Sequence, residues 1–196
     1  MNAPDCAAQD VQDMARLNAG HDAALNEIMA RHGERLFHYL MRRLNNATDA
    51  ADIAQETFVR VYQNRARYLP AHSFSTWLYT IATNLLRDRF RWRRRHPQVS
   101  LDADDDATAA IKDALPDTAG SASELMDADE RAAEVRKAIA SLPDDLREVV
   151  ILSEYEGLPH AEVAAVLKCS PKAVESRLYR ARAHLRKRLE TLLQPG

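Results

Sequence analysis

The residues able to do chemistry in this sequence sort into surfaces rather than into an active site. Asp52, Gln55 and Glu56 fall at i, i+3 and i+4 of one helical face. Two carboxylates at that spacing could serve acid–base work or a metal, but no histidine or third carboxylate falls at a useful offset on that face. Docking of another macromolecule suits the patch better. His160 with Glu162 is an isolated pair, and the chain has no H-E-x-x-H, no P-loop and no clustered ligands. Cys6 and Cys169 lie far apart and outside any C-x-x-C, so neither a zinc site nor a disulfide framework is indicated. We therefore expect no catalytic residue, no metal and no cofactor.

Two other groups of residues suit nucleic acid. In FSTWLYTIATNLLRDRFRWRRR, Thr80, Thr83, Asn84 and Arg87 fall at i, i+3, i+4 and i+7, and Arg91 and Arg94 continue the line. Hydroxyl, amide and guanidinium groups on one face can contact bases and phosphates, and Tyr68 nearby could support an unstacked base. The second group lies in SPKAVESRLYRARAHLRKRL. There Val174, Leu178, Ala181 and Leu185 make an inward stripe, while Lys172, Glu175, Ser176, Tyr179 and Arg180 share the other face, flanked by Arg177 and Arg182. A major groove admits one such helix. The same pattern also fits a solvated basic helix in a bundle.

The elements that must position these residues are helices. Leu25, Ile28, Met29, Leu36 and Leu40 recur at helical spacing through residues 21–44. Ala54, Phe58, Val61 and Tyr62 mark a second stripe, and Trp77, Ile81 and Leu85 a third, with Ser73 or Ser75 as its cap. Trp77 reads as core rather than stacking platform. Residues 128–142 and 144–157 read as two more helices, stopped by Pro143 and Gly157. A short apolar helix then breaks at Lys168-Cys169-Ser170, and Ser170-Pro171 opens the next: serine caps an orphan amide and proline has no donor to waste. Val163, Val166 and Leu167 should bury with Val174, Leu178 and Ala181, the spacing of a helix-turn-helix.

Between Pro97 and Leu125 the periodicity fades, and seven acidic residues face Lys112 alone. Few apolar groups there can offset backbone ordering, which predicts a flexible acidic linker. The whole chain is 46% hydrophobic and 29% charged, has only 5 glycines and carries a formal net charge of -2. That composition points to an all-α fold of two small helical domains. With neither a signal-like N-terminus nor about 18 consecutive apolar residues, a cytoplasmic protein without direct membrane insertion is expected.

The motifs together resemble the extracytoplasmic-function group of the sigma-70 family of RNA polymerase sigma factors. The likeness rests on D-x-x-Q-E-x-F in Asp52 to Phe58, F-x-T-W-L-Y-x-I-A-x-N in Phe74 to Asn84, L-P-x-x-x-R-E-V in Leu142 to Val149, and S-R-L-x-R-A-R in Ser176 to Arg182. It implies a flexible N-terminus over 1–10, sigma region 2 over 11–96, the acidic linker over 97–125 and sigma region 4 over 126–196. Asp52, Gln55 and Glu56 would dock on the clamp helices of the polymerase's largest subunit, with a further contact at its flap region. Tyr68, His72, Thr80, Thr83, Asn84, Arg87 and Arg91 would meet the minus-10 element, the loop from Tyr68 to Ser73 holding a flipped base. Ser170, Lys172, Glu175, Ser176, Arg177 and Arg180 would meet the minus-35 element. Lys172, Ala173 and Glu175 depart from the usual pattern, and Glu175 could accept a bond from a cytosine amino group. The resemblance also implies an anti-sigma partner, such as a membrane-anchored one, in a stress or environmental response. The alternative is a conventional helix-turn-helix regulator that binds duplex DNA without polymerase.

Overall fold

The computed structural model describes residues 3–96 and 122–190. Its helices are α1 (Ala3–Asn18), α2 (Ala24–Leu44), α3 (Ala47–Gln63), α4 (Phe74–Arg95), α5 (Ala122–Ala140), α6 (Asp144–Val150), α7 (His160–Leu167) and α8 (Pro171–Arg188), with a 3-10 turn at Arg65–Arg67. No strand occurs among the described residues. They form two compact units, the first built on α1 to α4 and the second on α5, α6 and α8 with the N-terminal part of α7.

In the first unit α2 and α3 are joined through two asparagines with different tasks. Asn45 takes the left-handed conformation that ends α2, at φ 51°, and its N–H donates to the Met41 carbonyl. Asn46 caps α3, its side-chain oxygen accepting from the Asp49 N–H at 2.8 Å. This short link folds α3 back on α2, and α4 packs on α3. Leu36, Leu40, Val61, Leu78 and Leu86 are fully or nearly fully buried. Each such aliphatic side chain contributes roughly 1.5–3 kcal/mol through burial.

The buried face of α4 is rotated from the expected stripe. Leu78, Tyr79, Ala82, Thr83, Leu85 and Leu86 are buried, whereas Trp77 and Ile81 lie at its edge, half-buried. Met29, expected in the stripe of α2, is 40% exposed.

Within the stretch expected to be a flexible N-terminus, residues 3–10 are helical and form the start of α1. What orders it is charge. Asp10 and Asp13 are buried, and Arg31 of α2 donates from Nε to Asp10 at 3.1 Å and from Nη2 to Asp13 at 2.7 Å. The His32 ring nitrogen lies 2.9 Å from Asp10 as well. Buried carboxylates persist when partners satisfy them in this way.

In the second unit, α6 continues into a π-helical segment, Ile151–Tyr155, where a regular helix was expected. Gly157 stops it at φ 65°, a conformation that would cost an L side chain about 1–2 kcal/mol. The break between α7 and α8 falls where the sequence places it. Lys168 turns left-handed at φ 55°, and the Ser170 hydroxyl accepts from the Ala173 N–H at 3.2 Å. Val163, Val166, Leu167, Val174, Leu178 and Ala181 are all buried. Most of the expected acidic linker, residues 97–121, lies outside the described residues; α5 starts at Ala122, within the stretch expected to be linker.

Candidate nucleic-acid interface

The docking patch stands clear of the core because α3 turns Ile53, Thr57 and Phe58 inward. Asp52 and Gln55 are exposed, and Glu56 lies beside them, paired with Arg60 one turn on at 2.8 Å. An exposed i, i+4 pair of this kind contributes only about 0.3–0.5 kcal/mol, so Glu56 is readily available to another cation.

Arg60 also borders a cleft of about 260 Å³, which it lines with Asn64, Arg67, Trp77, Thr80, Ile81 and Asn84. Two guanidiniums, two amides, a hydroxyl and an indole converge there. That set can hold phosphate and a base edge together. Thr80 and Asn84 were expected at such a surface; Arg60, Asn64 and Arg67 were not singled out. Their i, i+4 and i+7 spacing is the signal that could have found them. Asn64 is held by its own amide, which donates to the Arg60 carbonyl at 2.9 Å.

The loop before α4 is tied down at both ends. His72 N–H donates to Leu69 O at 3.0 Å, the Tyr68 hydroxyl donates to His72 O at 3.2 Å, and Ser73 caps α4 through the Thr76 N–H. Tyr68 sits against Phe74 and Trp77, at ring-centroid distances of 6.0 and 5.3 Å. Burial, with the Asp10 charge adding, raises its phenol above the ordinary tyrosine range, so it stays a neutral donor. His72 and Leu69 are exposed at the tip.

One expected contact is displaced from this surface. Thr83 is fully buried, and its hydroxyl lies 2.9 Å from the Tyr39 hydroxyl. Rotation of the buried face of α4 carries Thr83 into the core, where a paired hydroxyl stabilises a buried tyrosine. Arg87 remains half-buried on the line from Asn84, and Arg91 is exposed, paired with Asp88. The arginine cluster that follows divides. Arg89 and Arg93 both bind Asp49 at the start of α3, whereas Arg94 and Arg95 project outward.

On α8, Ser170, Lys172, Glu175, Ser176, Tyr179 and Arg180 are exposed on the outer face. Tyr179 is 77% exposed. Arg177 is drawn back from that face: its guanidinium contacts Cys169 Sγ at 3.7 Å and Asp145 at 3.8 Å. Position 177 flanks the inward stripe of Val174 and Leu178, which explains why Arg177 folds over the edge of the unit. Arg180 lies 3.7 Å from the same Asp145, and Arg182 pairs with Glu154 at 2.9 Å. Among the described residues no group of three or more His, Cys, Asp or Glu could hold a metal, and no helix is long and apolar enough to cross a membrane.

Comparison with known proteins places the chain in a family. The profile described as Sigma-70 region 2 matches residues 28–96, and that described as Sigma-70, region 4 matches 132–185. The chain is 33% identical to the RNA polymerase sigma-H factor of Pseudomonas aeruginosa, over 95% of this chain and 96% of that protein. It is 32% identical to the ECF RNA polymerase sigma factor SigW of Bacillus subtilis, over 90% and 95% respectively. The chain belongs to the extracytoplasmic-function group of the sigma-70 family. Among solved structures it resembles CnrH in its complex with the cytosolic domain of CnrY, with a TM-score of 0.68 at 29% identity, covering 93% of this chain and 98% of that one. The fold of RpoE of Bartonella quintana is also similar, at a TM-score of 0.63 and 20% identity. In this sigma-70 family member the region 2 match runs from within α2 to the end of α4, and the region 4 match from within α5 into α8.

Proposed function

We propose that this sigma factor binds core RNA polymerase through Asp52, Gln55 and Glu56 and places its two units on two promoter elements. Region 2 meets the minus-10 element with Thr80, Asn84, Arg87 and Arg91, joined by Arg60, Asn64 and Arg67, which the sequence pattern alone did not single out. The loop at Tyr68 to Ser73, with His72 at its tip, receives a base taken from the stack. Region 4 reads the minus-35 element with Lys172, Glu175, Ser176 and Arg180 on α8, opened by Ser170. The observation that carries this reading is the cleft beside Trp77 and Asn84, which brings the polar face of α4 and the end of α3 to one place.

Opening of the duplex on this reading is non-enzymatic. Capture of an unstacked base offsets the few kcal/mol that unstacking costs. Phosphate contacts by the exposed arginines release counterions and add sequence-independent affinity. Much of the basic charge is internally paired and the chain is nearly neutral, so association with polymerase in the cytoplasm supplies the rest of the DNA affinity. An anti-sigma factor that covers the polymerase-binding surface is the fitting form of control, a reading supported by the solved complex of CnrH with the cytosolic domain of CnrY.

Run-off transcription with purified core polymerase on a promoter library tests the whole reading. Specific starts that depend on this chain are expected, and Asn84→Ala should abolish opening while core binding persists. Tight duplex binding to a palindromic site without polymerase, and no core binding, would instead favour a conventional regulator.

A further inference from the structure

Helix α4 outruns the core it packs on. Its last buried residues are Leu85 and Leu86, yet it continues to Arg95. Trp92 lies on this overhang at 43% exposure. The His96 ring stacks on the indole, with centroids 4.9 Å apart and planes at 23°. His96 is itself fixed, because its N–H donates to the Trp92 carbonyl at 2.9 Å and its Nδ1 lies 3.1 Å from the same oxygen. The stack therefore holds a large aromatic surface in place at the helix end, without burying it.

The charges around the pair have one sign. Arg91, Arg94 and Arg95 are exposed next to it in sequence, and Asp88, one turn back on the same helix, is engaged by Arg91. Arg89 and Arg93, which point toward α3, are occupied by Asp49. An exposed indole among guanidiniums, on the helix that also carries Thr80 and Asn84, suits a polyanion that offers π-faces. Because the stack already fixes the indole, binding loses little side-chain entropy there.

We propose that the Trp92–His96 pair is an additional DNA contact, a stacking platform for a base at the edge of the opened promoter segment. This rests on the reading of α4 as the helix that meets the minus-10 element. Eight residues separate Asn84 from Trp92, about 12 Å along the helix, which corresponds to roughly three to four steps of DNA at 3.4 Å each. The platform would thus act a few base pairs away from the bases held at Asn84, beyond the reach of the cleft.

The test uses the full chain with core polymerase and a fork template, duplex on one side of the minus-10 element and single-stranded non-template DNA across it. Trp92→Ala should weaken fork binding roughly fivefold or more, the low end of what one aromatic–base stack supplies. Trp92→Phe, which keeps a ring, should retain most of the affinity. The slope of log affinity against log salt should not change, since no phosphate contact is lost. Wild-type fork affinity in Trp92→Ala, with Asn84→Ala still defective, would overturn the platform and leave the minus-10 reading intact. If neither variant weakened the fork, that reading would fall and the platform with it. Reduced core binding with unchanged fork affinity would make the pair a protein contact and overturn the proposal.

Discussion

Replacing Asp49 by Asn should lower stability and raise DNA affinity at once. The Asp49 carboxylate is 8% exposed and is shared by Arg89 and Arg93, which are 38% and 44% exposed. A charge-assisted hydrogen bond is worth about 1.5–3 kcal/mol when shielded, but guanidiniums this open to water are screened toward about 1 kcal/mol or less. Asp49 also sits in the first turn of α3, where a negative charge adds about 0.3–1 kcal/mol. The substituted amide can still accept one N–H, so the net loss should be about 2 kcal/mol. For a domain of this size 1 kcal/mol moves the midpoint by about 4–8 °C, which puts the region 2 transition roughly 8–16 °C lower. The two released arginines should steepen the salt dependence of nonspecific duplex binding, by up to about 0.9 in slope for each phosphate they newly neutralise. Calorimetry and salt-titrated binding read the two effects separately. An unchanged region 2 midpoint together with an unchanged salt slope would refute the view that Asp49 holds these arginines.

Other substitutions probe the remaining structural readings. Thr83→Val should cost about 1–3 kcal/mol by removing the buried hydroxyl that meets Tyr39, and a double-mutant cycle with Tyr39→Phe should show coupling between the two positions; DNA affinity of the folded protein should not change. Arg180→Ala should weaken minus-35 duplex binding and lower its salt slope by about one, whereas Arg177→Ala should act mainly on the melting of region 4. Because the folded state holds the Tyr68 proton more tightly than the unfolded chain, stability should be fully present below about pH 10 and should decline as pH rises from that value through the folded pKa. Tyr68→Phe should flatten that alkaline limb in urea unfolding. Glu175→Lys should change minus-35 base preference in a selection from random duplexes, and an unchanged preference would place Glu175 away from the base edges.

Much of the architecture follows from local signals that need no partner. Ser73 caps α4, Ser170 and Pro171 open α8, and Gly157 ends the segment before α7, because each satisfies or releases backbone groups within a few residues. The division into two helical units and the outward face of α8 follow from apolar spacing alone. Spacing was less exact on α4, where the expected line through Trp77 and Ile81 proved to be the edge of the buried face. Residues one position apart differ by about 100° around a helix. A stripe can therefore be placed while its borders are not, and Thr83 crossed that border into the core.

Tertiary structure alone decided the pairing of charges that lie far apart in sequence. Nothing local pairs Asp10 and Asp13 with Arg31, or Asp49 with Arg89 and Arg93, since those partners lie 18 to 44 residues apart. The same holds for Asp145 with Arg177 and Glu154 with Arg182. In sequence, helical spacing puts only Arg91 and Arg94 of RFRWRRR on the line from Asn84 and assigns no partner to any of its arginines. In the fold, two of them fasten α4 to α3, and the outward remainder frames Trp92. The physical reason is that a helical repeat fixes directions around one axis, while an ion pair depends on distances between axes, which exist only once the helices have packed.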